Sequence, residues 1–124
     1  MYKIADGFNV AEENLTLVIP QPQGIGIAYT QRDYSMGYTV VDQGAYTIWR
    51  YNVLSASEYT DLLTTFGLAD ATTNAVTVLT RDNTRQFVRK NGTIIRPAIE
   101  ESAHWQMPFY RDVEFVIVGL QDAT

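Results

Sequence analysis

The chain has 124 residues, of which 46% are hydrophobic and 19% charged, and its formal net charge at pH 7 is -5. This length fits one domain with one core, and the composition is too apolar and too aromatic for a disordered chain. No apolar run is long enough for a membrane helix, the absence of cysteine excludes disulfides and thiolate zinc sites, and the acidic balance argues against nucleic acid as the main partner.

The N-terminal third consists of short apolar runs separated by turn formers. Residues 1–14 predict an N-terminal arm or an edge segment, because Asp6-Gly7 and an acidic stretch at 12–14 interrupt the apolar residues. After them, β-type runs alternate with polar stretches that contain glycine and proline. We expect strands at 15–19, 25–29 and 38–41, a loop at 30–37, and a break at 42–44.

The clearest signal in the chain is a strand that leads directly into a helix. Over residues 45–53 one face is apolar and the other is mixed, which is the period of two of a pleated strand. Ser55 and Glu58 have the spacing of a capping box, and Gly67 supplies a left-handed helix stop. The sequence therefore predicts a helix at 56–66 that packs on a sheet through an apolar stripe of Tyr59, Leu62, Leu63 and Phe66.

The C-terminal half predicts a hairpin followed by a central strand. A strand at 76–80 turns at Asp82-Asn83 into a second strand at 85–90, and Asn91-Gly92 has the composition of a type I′ hairpin turn. A return strand at 93–96, an irregular segment at 100–110 and a last strand at 112–120 follow. Both faces of the last strand become apolar toward its end, so we expect it to lie inside a sheet. About eight strands and one helix predict a single β-sandwich or small barrel over residues 1–124.

The sequence lacks the residue combinations of the common catalytic and metal sites. His104 is the one histidine, and it lies beside Trp105 in an aromatic segment where a packed or solvent-facing imidazole is the ordinary case. The acidic pairs at 12–13 and 100–101 lie in expected loops, and neither a phosphate-binding glycine loop nor a nucleophile elbow is present. We therefore expect no enzymatic activity, no metal and no cofactor.

Five of the nine basic residues are concentrated in the predicted hairpin, where only Asp82 opposes them. They are Arg81, Arg85, Arg89, Lys90 and Arg96. One interpretation is a solvated hairpin whose cations prevent edge-to-edge pairing of strands. The other is a complementary contact with an acidic neighbour, which makes these residues candidates for a subunit interface.

Aromatic residues are more numerous than a core of this size needs. Tyrosine is favoured where one end of a side chain is dry and the other wet, so the aromatic residues outside the core predict a contact surface. For a protein contact, the candidates are Tyr29, Arg32 and Tyr34. For the alternative of a carbohydrate-binding module, in which aromatic rings stack on sugars, they are Trp105, Tyr110 and Trp49.

The order of these parts resembles the small minor tail proteins and the N-terminal domain of the distal tail proteins of long-tailed bacteriophages. The resemblance covers residues 25–120, and it depends on order and spacing. Its parts are the segment Tyr29-Thr30-Gln31-Arg32, the aromatic strand 46–53, the Leu-Ser-x-x-Glu start of the helix at 54–58, the hairpin, and the final strand that begins Arg111-Asp-Val-Glu-Phe115.

That resemblance implies a β-sandwich with one helix, assembled as a ring at the distal end of the tail tube. The ring is commonly a hexamer and connects the tube to the hub or fibres. It implies no catalytic residues and no membrane or nucleic-acid partner, and it places the protein in the virion after assembly in the host cytoplasm. The larger distal tail proteins have a second, C-terminal domain that this chain lacks, so a head–tail connector or a fibre adaptor is an alternative with the same architecture.

Overall fold

A computed structural model describes residues 1–33, 39–97 and 109–124, and within these ranges all side chains except those of 30–33 and 39–43. In chain order, the elements are β1 (Lys3–Asp6), a 3₁₀ turn (Glu12–Asn14), β2 (Thr16–Leu17), β3 (Gln23–Gly24), β4 (Ala28–Asp33), β5 (Thr39–Ser55), α1 (Ala56–Thr65), β6 (Thr73–Arg81), β7 (Phe87–Ile95) and β8 (Phe109–Asp122). The prediction of a mainly β fold with one α-helix is confirmed for the part of the chain that the structure describes.

The strands form one curled antiparallel sheet, a half-barrel, in the order β2-β1-β6-β7-β8-β5-β3, with β4 also paired to β5. The curl brings the two ends of this order together. Tyr2, which precedes β1, accepts a hydrogen bond from the Gly24 amide of β3 through its hydroxyl at 3.1 Å. The curled sheet therefore has a concave face, which holds the core, and an outer face.

Helix α1 begins and ends as the sequence predicts. The Ser55 hydroxyl accepts from the Glu58 amide at 3.1 Å, and the Ser55 amide donates to the Glu58 carboxylate at 2.9 Å, which completes the capping box. Gly67 has a φ of +73° just after the helix. The apolar stripe faces the concave side of the sheet, where Phe66 packs edge-on against Phe115 of β8 with ring centroids 4.8 Å apart.

Strand β8 lies between β7 and β5, so its predicted central position is confirmed. Its concave face buries Val113, Phe115 and Ile117. On β5, the predicted apolar face is correct from Ala45 to Tyr51, but Val53 is 54% exposed and Leu54 is fully buried instead. The alternation shifts at the position opposite Asp112 of β8, whose φ is +53°.

Two predicted interruptions and one predicted strand in the N-terminal half differ from the structure. Residues 30–33 continue β4, which pairs with β5 at Gln31–Val41 and Arg32–Val40. Strand β5 also continues through 42–44, but the register shifts there, because these three residues lie opposite Thr30 alone in a bulge. Pairing satisfies the backbone groups of polar residues as well as of apolar ones. The predicted strand at 25–29 is instead divided by Gly26, whose φ is +83°. Residues 34–38 of the predicted loop lie outside the described residues.

The predicted turn at Asn91-Gly92 is also wrong. Strand β7 runs straight through it. The other predicted turn, at Asp82-Asn83, is confirmed, since residues 82–86 connect β6 to β7. Gly92 is needed for close packing, since a Cβ there would lie 2.8 Å from Cγ2 of Ile117. The register of β7 against β8 shifts between Asn91 and Thr93, where Gly119 and Leu120 of β8 lie opposite Gly92 alone. Strand β8 therefore has a β-bulge there, and Gly119 has a φ of +65°.

The predicted N-terminal arm is part of the folded domain. Strand β1 pairs with β6, and residues 7–15, here called the N-terminal strap, cross the outer face of β6 and β7. The buried Thr77 hydroxyl donates to the Gly7 carbonyl at 2.7 Å and accepts from the Val10 amide at 3.2 Å. The Asn91 side chain donates to Asn9 Oδ1 at 2.7 Å and accepts from the Asn9 amide at 2.9 Å.

Candidate interaction surface

Two cations of the predicted basic hairpin bond to the chain's own ends. The Arg89 guanidinium donates to the Val10 carbonyl of the strap at 2.7 Å and to the Thr124 carbonyl at 3.1 Å. Lys90 forms an ion pair with Asp122 of β8, and this hydrogen bond lowers the pKa of the Asp122 carboxyl. These two side chains therefore hold the strap and the C-terminus in place.

The other three cations are placed differently from one another. Arg96 donates to the carbonyls of Leu68 and Ala69 at 3.3 Å each, just after the helix. Arg81 lies over the Phe87 ring at 5.7 Å. Arg85 is exposed at the tip of the turn, with a φ of +65°. Of the five, Arg85 is therefore the cation best placed for a contact with another molecule.

The structure changes the set of aromatic candidates. Trp49 is fully buried, and its indole N–H donates to the Thr80 hydroxyl at 3.0 Å, so no sugar can reach its ring and this assignment is wrong. Tyr110 is half-buried against Tyr59, with ring centroids 4.8 Å apart. Tyr29 is 57% exposed. Of the remaining candidates, Trp105 and Tyr34 lie outside the described residues, and for Arg32 only the backbone is described.

A cavity of about 210 Å³ lies between the start of β4 and the turn of the β6–β7 hairpin. Asn83 closes one side of it, because its side-chain amide accepts from the Ile27 amide at 3.0 Å and donates to the Ile27 carbonyl at 2.7 Å. Asp82 accepts from Thr84 and Gln86, which lowers the pKa of its carboxyl. These polar groups are already bonded within the protein, and the volume is below the ~300 Å³ at which ordinary ligand pockets begin.

In residues 1–33, 39–97 and 109–124, no three histidine, cysteine or acidic side chains are grouped as metal ligands. None of the described helices is long and apolar enough to cross a membrane.

The outer face of the sheet carries a continuous row of apolar side chains, which we call the apolar row. Ile48 of β5 is registered with Val116 of β8, and Val116 with Ile95 of β7. On the other side of β5, Ile25, the residue after β3, donates from its amide to the Ile48 carbonyl at 3.3 Å, which adds Ile25 to the row. Ile25 is 42% exposed, and the other three are partly exposed.

An ion pair lies beside the apolar row on the same two central strands. Arg50 and Glu114 are registered across β5 and β8, with Nε and Oε1 3.0 Å apart and side chains 50% and 46% exposed. Farther along these strands, Val53 is 54% exposed and Phe109 is 50% exposed. The outer face of β5 and β8 is thus apolar at both ends. Between them lies the Arg50–Glu114 pair, whose two charges cancel.

No described helix or strand lies over this part of the outer face. Helix α1 packs on the concave side, and the N-terminal strap covers β6 and part of β7. Sequence reasoning missed the apolar row because its four members belong to four separate segments of the chain. The signal in the sequence is the apolar outer position of Val116 on the last strand, which by itself predicts burial inside a sheet.

No family model, curated protein or solved structure matches this chain. The resemblance to phage tail proteins therefore stays a hypothesis. The open outer face of β5 and β8 is the feature of the described structure with the clearest bearing on function.

Proposed function

We propose that this protein is a structural subunit that assembles with copies of itself. Its place would be a ring, commonly of six copies, at the distal end of a long-tailed bacteriophage tail, where it joins the tail tube to the tip or fibres. The order of the strand, capped helix, hairpin and final strand supports the tail assignment through the resemblance described above. The observation that carries self-assembly is the apolar row on the open outer face.

The apolar row favours a protein contact for a simple energetic reason. Covering apolar surface contributes roughly 25 cal/mol per Å² removed from water, and contiguous exposed apolar patches mark interaction sites more often than scattered single residues do. The four members of the row lie side by side across the sheet, from Ile95 on β7, through Val116 on β8 and Ile48 on β5, to Ile25, the residue after β3. An apolar band across several strands fits another protein surface better than it fits a small ligand, which binds in a concave pocket.

The carbohydrate-binding alternative has no comparable support in the described residues. Of its three aromatic candidates, Trp49 belongs to the core, Tyr110 packs against Tyr59, and Trp105 lies outside the described residues. A connector or fibre adaptor differs from the proposed function in its position on the particle and uses the same kind of contact.

The test is the native mass of the purified protein by light scattering, over a range of protein concentrations and at low and moderate salt. We expect a closed assembly near six copies, or a concentration-dependent shift toward one. A strict monomer under all these conditions would contradict self-assembly.

The variant Arg85→Glu tests the hairpin tip in the same measurement, and we expect it to weaken assembly and reduce the dependence of assembly on salt. Arg89 is unsuitable for this purpose because it holds the strap.

A further inference from the structure

We propose that the apolar row and the Arg50–Glu114 pair form a two-fold contact with the same surface of a second copy. The axis would lie between the two sheets, parallel to the strands, along the midline between β5 and β8. This inference builds on the self-assembly proposed above, and it specifies which surface and which symmetry are used.

The order of the strands makes this surface self-complementary. In the strand order β7-β8-β5-β3, two strands lie on each side of the midline between β8 and β5. A two-fold axis along that line places β5 of one copy over β8 of the other, and β3 over β7. Ile48 then faces Val116 of the second copy, and Ile25 faces its Ile95. Every member of the apolar row meets another member, as an isologous contact requires.

The same rotation brings opposite charges together. It places Arg50 of one copy over Glu114 of the other, and Glu114 over Arg50. The chain has a net charge of -5, so two copies repel each other in general and need a contact surface without net charge. The Arg50–Glu114 pair supplies such a surface, and across the axis it becomes a network of two cations and two anions.

The expected geometry is that of two sheets packed face to face. Aligned sheets pack about 10 Å apart with their mean strand directions within about 30° of each other, and an axis parallel to the strands keeps the strands of the two copies parallel. Because the outer face is the convex side of a half-barrel, the two copies approach most closely along the midline. Ile48, Val116 and the ion pair lie there, whereas Ile25 and Ile95 lie toward the rim.

A two-fold contact joins copies in pairs and cannot close a ring by itself. A ring needs a second, heterologous contact between different patches of neighbouring copies. The two contacts together would pair subunits within a ring or join two rings back to back. The masses of the assemblies therefore distinguish the two contacts, because the two-fold contact alone gives dimers and the heterologous contact gives a ring.

The decisive experiment mixes two charge-reversal variants, Arg50→Glu and Glu114→Arg. The first presents two acidic side chains on the face and the second presents two basic ones, so each should associate with itself about tenfold or more weakly than the wild type does. In an equimolar mixture, the acidic face meets the basic face, and we expect mixed pairs to form. Native mass spectrometry distinguishes mixed pairs from self-pairs by mass. The matched control is Asp61→Arg, which reverses an exposed charge on α1 and should assemble as the wild type does.

A second pair of variants tests the apolar part. Val116→Thr and Ile48→Thr keep a β-branched side chain on an outer-face position, so we expect them to fold, which thermal unfolding by circular dichroism checks. We expect pairing to weaken about tenfold or more. Phe8→Thr, which removes a side chain that is 55% exposed on the strap, is the control and should pair as the wild type does.

The outcomes separate this contact from the proposed ring. Dimers without larger assemblies, lost in the face variants and restored in the mixture, would support the two-fold contact and contradict the ring. A ring whose mass is unchanged in all four variants would overturn the two-fold contact and leave the ring standing. A wild type that stays monomeric at every concentration would overturn both.

Discussion

Two buried threonines on the concave face differ in a way that can be measured. The Thr80 hydroxyl accepts the indole N–H of Trp49 at 3.0 Å. The Thr47 hydroxyl is equally buried, but it has no hydrogen-bond partner within the described structure. A buried polar group contributes to stability when it is paired and costs free energy when it is not. The two positions therefore form a matched pair within one core.

Replacing each threonine with valine should have opposite effects on the free energy of unfolding. Thr80→Val leaves the Trp49 N–H unpaired and should cost about 1–3 kcal/mol. Thr47→Val removes an unpaired hydroxyl and should be neutral or stabilising by up to about 1 kcal/mol. Urea denaturation of the two variants and the wild type gives both values. Equal losses in the two variants would show that the Thr80–Trp49 hydrogen bond contributes nothing specific.

At the scale of elements, helix α1 depends both on a local capping box and on contacts with the core. Its start is fixed by the capping box of Ser55 and Glu58, and its apolar stripe places Phe66 against Trp49 and Phe115. A helix of ten residues is too short to be stable alone in water. The cap and the core contacts therefore act together, and removing the cap should lower the stability of the whole domain.

The variant Ser55→Ala tests the cap. It removes the acceptor for the Glu58 amide, and we expect the free energy of unfolding to fall by about 1 kcal/mol. Ser55→Asp is the control, because a carboxylate oxygen also caps a helix and should retain most of the stability. Thermal or urea unfolding measures both. Equal stability of the alanine and aspartate variants would contradict a contribution from the cap.

At the scale of the whole molecule, the two ends of the chain are joined through one side-chain cluster. Asn91 in the middle of β7 bonds to Asn9 of the strap, and Asn9 Oδ1 also accepts from the Thr124 amide at 3.0 Å. Arg89 contacts both the strap and the C-terminus. This cluster holds the strap on the outer face of β6 and β7, and so it sets which part of that face stays open.

Removing the Asn91 side chain should release the strap. We expect Asn91→Ala to lower the free energy of unfolding by about 1–3 kcal/mol, since it leaves partly buried polar groups unpaired. The amides of Asn9 and Val10 should exchange with solvent faster, as hydrogen-exchange mass spectrometry can measure. Asn52→Ala, at an exposed position of β5, is the matched control. Unchanged exchange at the strap would show that other contacts are sufficient to hold it.

The sequence by itself determined the features that depend on residues close together in the chain. The capping box, the helix stripe, the stop at Gly67 and the alternation of Val113, Phe115 and Ile117 are all readable within a few positions, because backbone periodicity and hydrogen bonds of the first turn are local. The mainly β class with one helix follows from the same local patterns.

Only the tertiary structure decided the features that depend on distant partners. Asn91-Gly92 stays inside β7 because this strand is paired with β6 on one edge and with β8 on the other, and polar residues 31–33 stay in β4 because they pair with β5. The cations of the hairpin bond to the strap, the C-terminus and the helix end, up to 79 positions away. The apolar row combines four segments that no local window contains. The free energy of pairing and burial comes from these long-range contacts, and it overrides local turn and charge preferences wherever the two disagree.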